Sequence, residues 1–226
     1  MNKTITENRY VQILSTGVRL EGIVSIPDEA RGFVIFVHGS GSSRHSPRNQ
    51  YVAQPLQEGG LATLLFDLLT PYEEESDLQT RYLRFDVDLL ARRTAGVLEW
   101  LDLQPYAYGL KKGLFGSSTG AAAALMAAAE LPDVVDAVVS RGGRPDLADR
   151  ALPQVAAPTL LIVGGNDDVV IDLNEQALSQ MQPLTETKLT VVPGASHLFE
   201  EPGALEHAAR LARDWFQRHL DGVGVR

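Results

Sequence analysis

Gly116-Ser117-Ser118-Thr119-Gly120 is the stretch of sequence that decides the fold. It matches the pattern G-x-S-x-G, in which two glycines flank a central serine, here Ser118. The apolar pair Leu114-Phe115 precedes it and an alanine-rich segment, residues 121–129, follows it, which predicts a strand, a tight turn and a helix. Such a turn presents the hydroxyl of the central serine at the carboxyl edge of a sheet. A Gly/Ser loop with Ser117 or Ser118 as helix N-cap is the alternative, so the rest of the chain must supply partners for the serine.

Near-continuous apolar runs recur along the chain, as expected for parallel strands covered on both faces. They lie at residues 33–37, 61–66, 134–139, 159–163 and 189–192. Before them, two β-rich segments, residues 10–16 and 18–26, are separated at Gly17 and predict an antiparallel hairpin. Helical patterns, the clearest at residues 87–101 and 204–215, lie between or after the runs.

This alternation predicts an α/β fold with a mostly parallel central sheet, helices on both faces and an N-terminal antiparallel hairpin. We expect one domain over residues 1–226, because 226 residues of which 44% are hydrophobic can bury one full core. The segment from Ser140 to Pro158 is too short for a separate cap domain. The acidic run Glu73-Glu74-Glu75 is expected to be a solvated loop rather than a metal site.

Composition excludes several classes of function. A net charge of -9 repels phosphate backbones, so nucleic acid is a poor partner. The absence of cysteine excludes disulfides, thiolate metal sites and a thiol nucleophile. No run of 18 apolar residues occurs. The sequence therefore predicts a soluble, cytoplasmic protein that acts on a small molecule, with no metal, cofactor or membrane partner.

A nucleophilic serine needs a base, and the base needs an acid to orient it. His197 follows the last apolar run, in the turn Pro193-Gly194-Ala195-Ser196-His197, and Asp167 and Asp168 follow the run before it. Both groups are thus expected at the carboxyl ends of strands, where open α/β sheets place their ligands. The chain order is Ser118, then one of the two aspartates, then His197.

This order, its spacing and its turns resemble the α/β-hydrolase superfamily over nearly the whole chain. The resemblance selects Asp167 over Asp168, because the family's acid stands three residues after the first glycine of its turn. It also assigns an oxyanion hole, a pair of hydrogen-bond donors for a negatively charged oxygen, to the backbone N–H groups of Ser40 and Thr119. His38, which precedes the glycine of the Ser40 turn, is then structural rather than catalytic.

Within the superfamily, the short chain and the leading hairpin resemble small, cap-less proteins related to dienelactone hydrolase. Dienelactone hydrolases proper use a cysteine nucleophile, which this chain lacks. The resemblance therefore implies a serine hydrolase that cleaves an ester- or lactone-like carbonyl through an acyl-enzyme intermediate. Two loop arginines, Arg44 and Arg141, are candidates for binding an anionic group of the substrate, with ion pairing to nearby acids or plain solvation as the alternative.

Three other interpretations stay open. The chain could be a non-catalytic binding protein with a hydrolase fold, or a lyase or acyltransferase on that fold, because fold does not fix the reaction. A nucleotide-binding, Rossmann-like protein is the third, since Gly39-Ser40-Gly41 follows one strand and Asp67 ends the next. Against it, Arg44 occupies the third glycine position and Pro47 stands where the phosphate-binding helix should already be running.

Overall fold

The computed structural model describes residues 5–222. Within this range eight strands form one sheet. In chain order they are β1 (Ile5–Ser15), β2 (Val18–Pro27), β3 (Phe33–Val37), β4 (Ala62–Phe66), β5 (Lys112–Ser117), β6 (Val135–Arg141), β7 (Thr159–Gly164) and β8 (Thr187–Val192). Their order in the sheet is β1-β2-β4-β3-β5-β6-β7-β8. Strand β2 is antiparallel to both β1 and β4, and every other pair of neighbours is parallel, which confirms the predicted hairpin and mostly parallel sheet.

Six α-helices connect or follow these strands in the described part of the chain. They are α1 (Pro47–Glu58), α2 (Pro71–Thr80), α3 (Val87–Asp102), α4 (Thr119–Glu130), α5 (Asp168–Gln180) and α6 (Ala204–Leu220). None of the helices in residues 5–222 is long and apolar enough to cross a membrane. Between β6 and β7 the chain forms only a short 3₁₀ segment, Pro145–Gln154, so no cap domain is inserted there.

The core lies in two layers, one on each face of the sheet. Successive residues of a strand point to opposite faces, and in β3 the side chains of Val34 and Phe36 pack with helices α1 and α6. Ile35 and Val37 pack on the other face with α3 and α4. Most of the alanine-rich stretch of helix α4 is fully buried, with Met126 and Ala129 only partly so, because small side chains allow its backbone to approach the sheet closely.

The acidic run is not a loop, and this prediction was wrong. Glu73, Glu74 and Glu75 lie in the first half of helix α2. The hydroxyl of Thr70 accepts a hydrogen bond from the amide of Glu73, and the Glu73 carboxylate accepts one from the Thr70 amide. Pro71 occupies the first position of the helix. This capping box and the acidic first turn both stabilise the helix N-terminus, which explains why a strongly charged segment is ordered.

Candidate active site

Ser118 occupies a strained turn between β5 and α4. Its backbone angles are φ 51° and ψ -125°, a combination that a residue with a Cβ atom rarely adopts. The flanking glycines are required by packing: a Cβ at Gly116 would lie 2.4 Å from the Cα of Ala121, and a Cβ at Gly120 would lie 2.2 Å from the carbonyl oxygen of Val37. The G-x-S-x-G pattern is thus the sequence that allows strand, turn and helix to pack this tightly.

His197 and Asp167 form a hydrogen-bonded pair at the carboxyl ends of β8 and β7. The His197 Nδ1 to Asp167 Oδ2 distance is 2.6 Å. A carboxylate only accepts hydrogen bonds, so Nδ1 carries the proton and Nε2 is left as the basic nitrogen of the neutral ring. Asp168 is instead the first residue of α5 and is exposed. Of the two candidate acids, Asp167 is therefore the one that orients the histidine.

Ser118 and His197 line the same open cleft, whose volume is about 550 Å³. Its walls come from the loop after β3, the start of α1, Glu74 of α2, the strained turn that carries Ser118 (the elbow turn, residues 116–120), and the end of β6 and the loops after β6 and β8. The lining includes Gly39, Ser40, Ser42, Arg48, Asn49, Ser118, Arg141, Gly142, His197 and Leu198. The cleft thus lies at the carboxyl edge of the parallel strands, where the sequence predicts it.

The two backbone groups predicted as oxyanion donors lie beside the serine. A Cβ at Gly39 would lie 2.9 Å from the Cβ of Ser118, so the loop after β3 touches the elbow turn. Thr119 is the first residue of α4 and its amide has no acceptor within the helix. The Ser40 amide, however, donates a hydrogen bond of 3.0 Å to the hydroxyl of Thr119. The sequence analysis did not anticipate this bond, which occupies the Ser40 donor in the structure.

His38 supports the loop that carries Ser40. Its Nδ1 donates to the carbonyl of Gly39 at 2.9 Å, and its Nε2 accepts from the Leu68 amide at 3.0 Å. Burial lowers the pKa of His38, and this effect outweighs the opposing influence of the Gly39 hydrogen bond and of the nearby Asp67 charge. The ring is therefore neutral and acts as a structural crosslink.

Arg44 does not reach the cleft, which corrects its assignment as a substrate-binding candidate. Its guanidinium forms ion pairs with Glu21 and Asp67, and its backbone amide donates to the Asp67 carboxylate at 2.6 Å. These three contacts fix the side chain against β2 and the end of β4. They also engage the carboxylate that a Rossmann-like interpretation would need for a ribose hydroxyl, which removes the support for that alternative.

Arg141, the other candidate, lies in the cleft wall. It is the last residue of β6, in register with Ser117 of the neighbouring strand, and is only 7% exposed. Its Nε and Nη1 atoms have no hydrogen-bond partner. The guanidinium carbon lies 5.7 Å from the centre of the Phe199 ring. Burial, and then the positive charge of Arg48, lower the pKa of Arg141 to about 10, so the side chain is still cationic at neutral pH.

The sequence did not predict Asn49, which lines the cleft, or Phe199, which contacts Arg141 but is not part of the cleft lining. Asn49 is 3% exposed and its Oδ1 has no partner, while Phe199 packs against the guanidinium of Arg141. Asn49 lies in the first turn of α1 and Phe199 follows His197 by two residues. Neither position carries a motif, and only the folded chain shows that both approach Arg141 or the cleft.

The topology of the sheet, the strained serine turn and the position of the cleft define an α/β hydrolase. Residues 20–221 match the model of the dienelactone hydrolase family, and the chain belongs to that family. It is similar to the crystal structure of a dienelactone hydrolase from Anabaena variabilis ATCC 29413, with 58% identity, a TM-score of 0.92, and coverage of 95% of this chain and 98% of that one. Est1E from Butyrivibrio proteoclasticus shares the fold at 16% identity and a TM-score of 0.76, over 93% of this chain and 98% of that one.

A curated relative from Mycobacterium tuberculosis (strain H37Rv) is 55% identical over 214 residues. This match covers 95% of the present chain but only 47% of the relative, so the chain spans about half the length of that protein. A second strain of the same organism has a relative with the same figures. Both relatives are named "Putative phosphoribosyl transferase", a name that refers to the whole, longer protein.

Proposed function

We propose that this chain is a serine hydrolase that cleaves an ester- or lactone-like carbonyl through an acyl-enzyme intermediate. The observation that carries the proposal is the shared cleft, which is lined both by Ser118, in its strained turn, and by His197, whose Nδ1 is held by Asp167. Membership of the dienelactone hydrolase family supports hydrolysis as the reaction class. The proposed substrate is a small molecule, and no step uses a metal or a cofactor.

In the proposed reaction, His197 Nε2 takes the proton of the Ser118 hydroxyl while Oγ attacks the carbonyl carbon. Asp167 keeps the histidine in the required tautomer and stabilises the imidazolium that forms. The tetrahedral oxyanion binds the amides of Thr119 and Ser40, each worth about 3 kcal/mol in such sites. His197 then gives the proton to the leaving oxygen, and water repeats the sequence to release the acid.

The bond between the Ser40 amide and the Thr119 hydroxyl adds one requirement to this scheme. The oxyanion must replace the Thr119 hydroxyl as the acceptor of the Ser40 amide, because an N–H group makes one strong hydrogen bond. A threonine hydroxyl rotates freely about its C–O bond and its side chain has alternative rotamers. We therefore propose that the Ser40 donor becomes available by a side-chain rotation of Thr119, without movement of the backbone.

Two alternatives remain and differ in a measurable way. An acyltransferase would form the same acyl-enzyme but pass the acyl group to an acceptor other than water, so the products distinguish it from a hydrolase. A binding protein with a hydrolase fold would form no acyl-enzyme. Phosphoribosyl transfer belongs to the names of the longer relatives, and the present proposal concerns only the span that this chain shares with them.

Labelling with a fluorophosphonate tests the proposal, because this reagent forms a stable adduct only with an activated serine. We expect a single adduct by intact mass, mapped to Ser118, and none in Ser118→Ala or His197→Ala. Ser117→Ala is the matched control, because it removes the neighbouring hydroxyl and should keep the adduct. A folded protein that gives no adduct, or an adduct on another serine, would refute the proposal and favour a binding protein.

A further inference from the structure

The end of the cleft at Arg141 carries a buried positive charge without a partner. Within residues 5–222 the buried Nε and Nη1 atoms of this guanidinium have no hydrogen-bond partner, and the guanidinium lies over the face of the Phe199 ring. A buried cation with unsatisfied donors is costly, and such groups are normally paired. The charge that, after burial, lowers the pKa of Arg141 is that of Arg48, which has the same sign. The site is therefore electrostatically incomplete without an anion.

Arg48 can contribute to the same anion site at low cost. It lies in the first turn of α1 and lines the cleft together with Arg141. Its guanidinium Nη2 is 2.8 Å from Glu200 Oε1, but the two side chains are 36% and 63% exposed. Exposed pairs of this kind contribute little to stability, so an anion in the cleft can replace Glu200 as the partner of Arg48.

The start of helix α1 lines the same end of the cleft and provides further polar groups. The helix has 12 residues, and its first positions, Pro47 to Asn49, belong to the cleft wall. Pro47 has no N–H and the Asn49 amide already donates to the Ser46 hydroxyl at 3.3 Å, which leaves the Arg48 amide as the donor of this turn. Such an amide at a helix N-terminus favours a bound anion. The buried Oδ1 of Asn49 also has no partner, so it can accept a hydrogen bond from a hydroxyl of the ligand.

We propose that this end of the cleft binds a phosphate group of the substrate, so that the preferred substrates are phosphorylated esters. The inference rests on the proposed function, and the phosphate is a recognition element that takes no part in bond breaking. A carboxylate has two acceptor oxygens and a single negative charge, whereas a phosphate monoester has three terminal oxygens and a charge of about -1.5 to -2, so it matches more donors and more positive charge. It can therefore use Arg141, Arg48 and the start of α1 together. Because Arg141 is in register with Ser117, the phosphate lies close to the scissile carbonyl and the linker is short.

Three 4-nitrophenyl esters with matched acyl chains test this specificity: 3-phosphonopropanoyl, succinyl and butanoyl. We expect kcat/KM to be at least tenfold higher for the phosphonate than for the butanoyl ester, and higher than for the succinyl ester. In Arg141→Gln the phosphonate-to-butanoyl ratio should fall at least tenfold, and in Arg48→Gln severalfold. Arg218→Gln is the matched control, because Arg218 pairs with Glu186 at the end of α6 and lies outside the cleft wall; its ratio should equal that of the parent protein.

The outcomes separate the two proposals. If all three esters are hydrolysed without a preference for the phosphonate, the inference is refuted and the proposed function stands. If the succinyl ester is preferred, the site is a carboxylate site and the phosphate proposal is refuted. If no ester is hydrolysed, the proposed function fails, and calorimetric titration of Ser118→Ala with inorganic phosphate decides the inference alone. We then expect binding that weakens at least tenfold when Arg141→Gln is added, and equal binding would overturn the proposal.

Should Arg141→Gln fail to fold, Arg141→Lys keeps the charge and the aliphatic stem but loses the planar fork. Inorganic phosphate is then used as a competitive inhibitor of butanoyl ester hydrolysis, or as the calorimetric ligand where no ester turns over. We expect the inhibition or dissociation constant to rise at least threefold in Arg141→Lys. An unchanged constant would overturn the proposal.

Discussion

The substitution Gly120→Ala should disable the site while leaving the fold largely intact. A Cβ at this position would lie 2.2 Å from the carbonyl oxygen of Val37 and 2.4 Å from that of His38, whereas real Cβ contacts stay above 3.0 Å. Both partners are backbone atoms at the end of β3, so no side chain can rotate away. The start of α4 must therefore move by about 0.8 Å or more, and it carries Ser118 and Thr119 with it.

The expected magnitudes follow from this displacement. A misplacement of about 1 Å in a catalytic geometry can lower the rate roughly 10²-fold. Overpacking costs about 1–3 kcal/mol, and the better helix propensity of alanine offsets about 1 kcal/mol of it. For 226 residues the entropy of unfolding is about 0.5 kcal/mol/K, so a net loss of up to about 2 kcal/mol lowers Tm by up to about 4 °C. The protein should stay folded with about 1% of its activity.

Gly113→Ala is the matched control at the other end of β5. Its Cβ would lie 2.5 Å from Phe216 Cε1 and 3.1 Å from Leu220 Cδ1, both side-chain atoms of α6. This variant should lose about as much stability as Gly120→Ala. Its kcat/KM for a 4-nitrophenyl ester should stay within about threefold of that of the parent protein, because the strain lies far from the turn that carries Ser118. The reasoning is refuted if Gly120→Ala also stays within threefold, or if both variants lose activity in proportion to their loss of Tm.

Three further predictions concern ionisable side chains. Asp167→Asn should lower kcat for a 4-nitrophenyl ester about 10³- to 10⁴-fold, because an amide cannot stabilise the His197 imidazolium; a loss below tenfold would contradict this role. Burial acts to raise the pKa of Asp77, but its hydrogen bonds, above all the one from Arg84, outweigh this effect and lower the pKa overall. Asp77→Asn should therefore reduce the free energy of unfolding, measured with urea, by about 2–3 kcal/mol. Burial lowers the pKa of His38 below 6.5, so as the pH falls the unfolded chain takes up this proton before the folded one, and stability should decrease below pH 6.5. His38→Gln should flatten this pH dependence of Tm in thermal scans between about pH 6.5 and 5. An unchanged slope would contradict the prediction.

The sequence was sufficient for those parts of the site that depend on backbone topology. Apolar runs and turn glycines predict the strands, and parallel strands bring their carboxyl ends to one edge. Ser118, Asp167 and His197 each follow such a strand, so their approach follows from the order of the elements. The two glycines around Ser118 could also be interpreted from the sequence, because close packing of backbone against backbone at these positions allows only glycine.

The parts that the sequence could not provide depend on pairing between side chains. Arg44 and Arg141 are both arginines near strand ends, but Arg44 pairs with Glu21 and Asp67, whereas the buried Nε and Nη1 of Arg141 have no partner among the described residues. The difference comes from which acids the fold happens to bring near each guanidinium, and no local pattern records that. Helix α2 was not predicted, because the acidic run was interpreted by its charge as a solvated loop and the Thr70–Glu73 capping box that stabilises the helix was not considered.

A strained backbone turn and an unpaired charge lie next to each other at the cleft. Elsewhere in the described chain the buried cations are neutralised, as Arg93 is by Glu73 and Lys112 by Asp102. Arg141 is the exception, and it lies in the strand next to the strained Ser118. Unfavourable conformations and unpaired charges persist when the surrounding structure enforces them, and they cluster where a ligand or a reaction requires them. Because a chain with a net charge of -9 has ample acid to pair one more arginine, the missing partner of Arg141 is most simply the substrate itself.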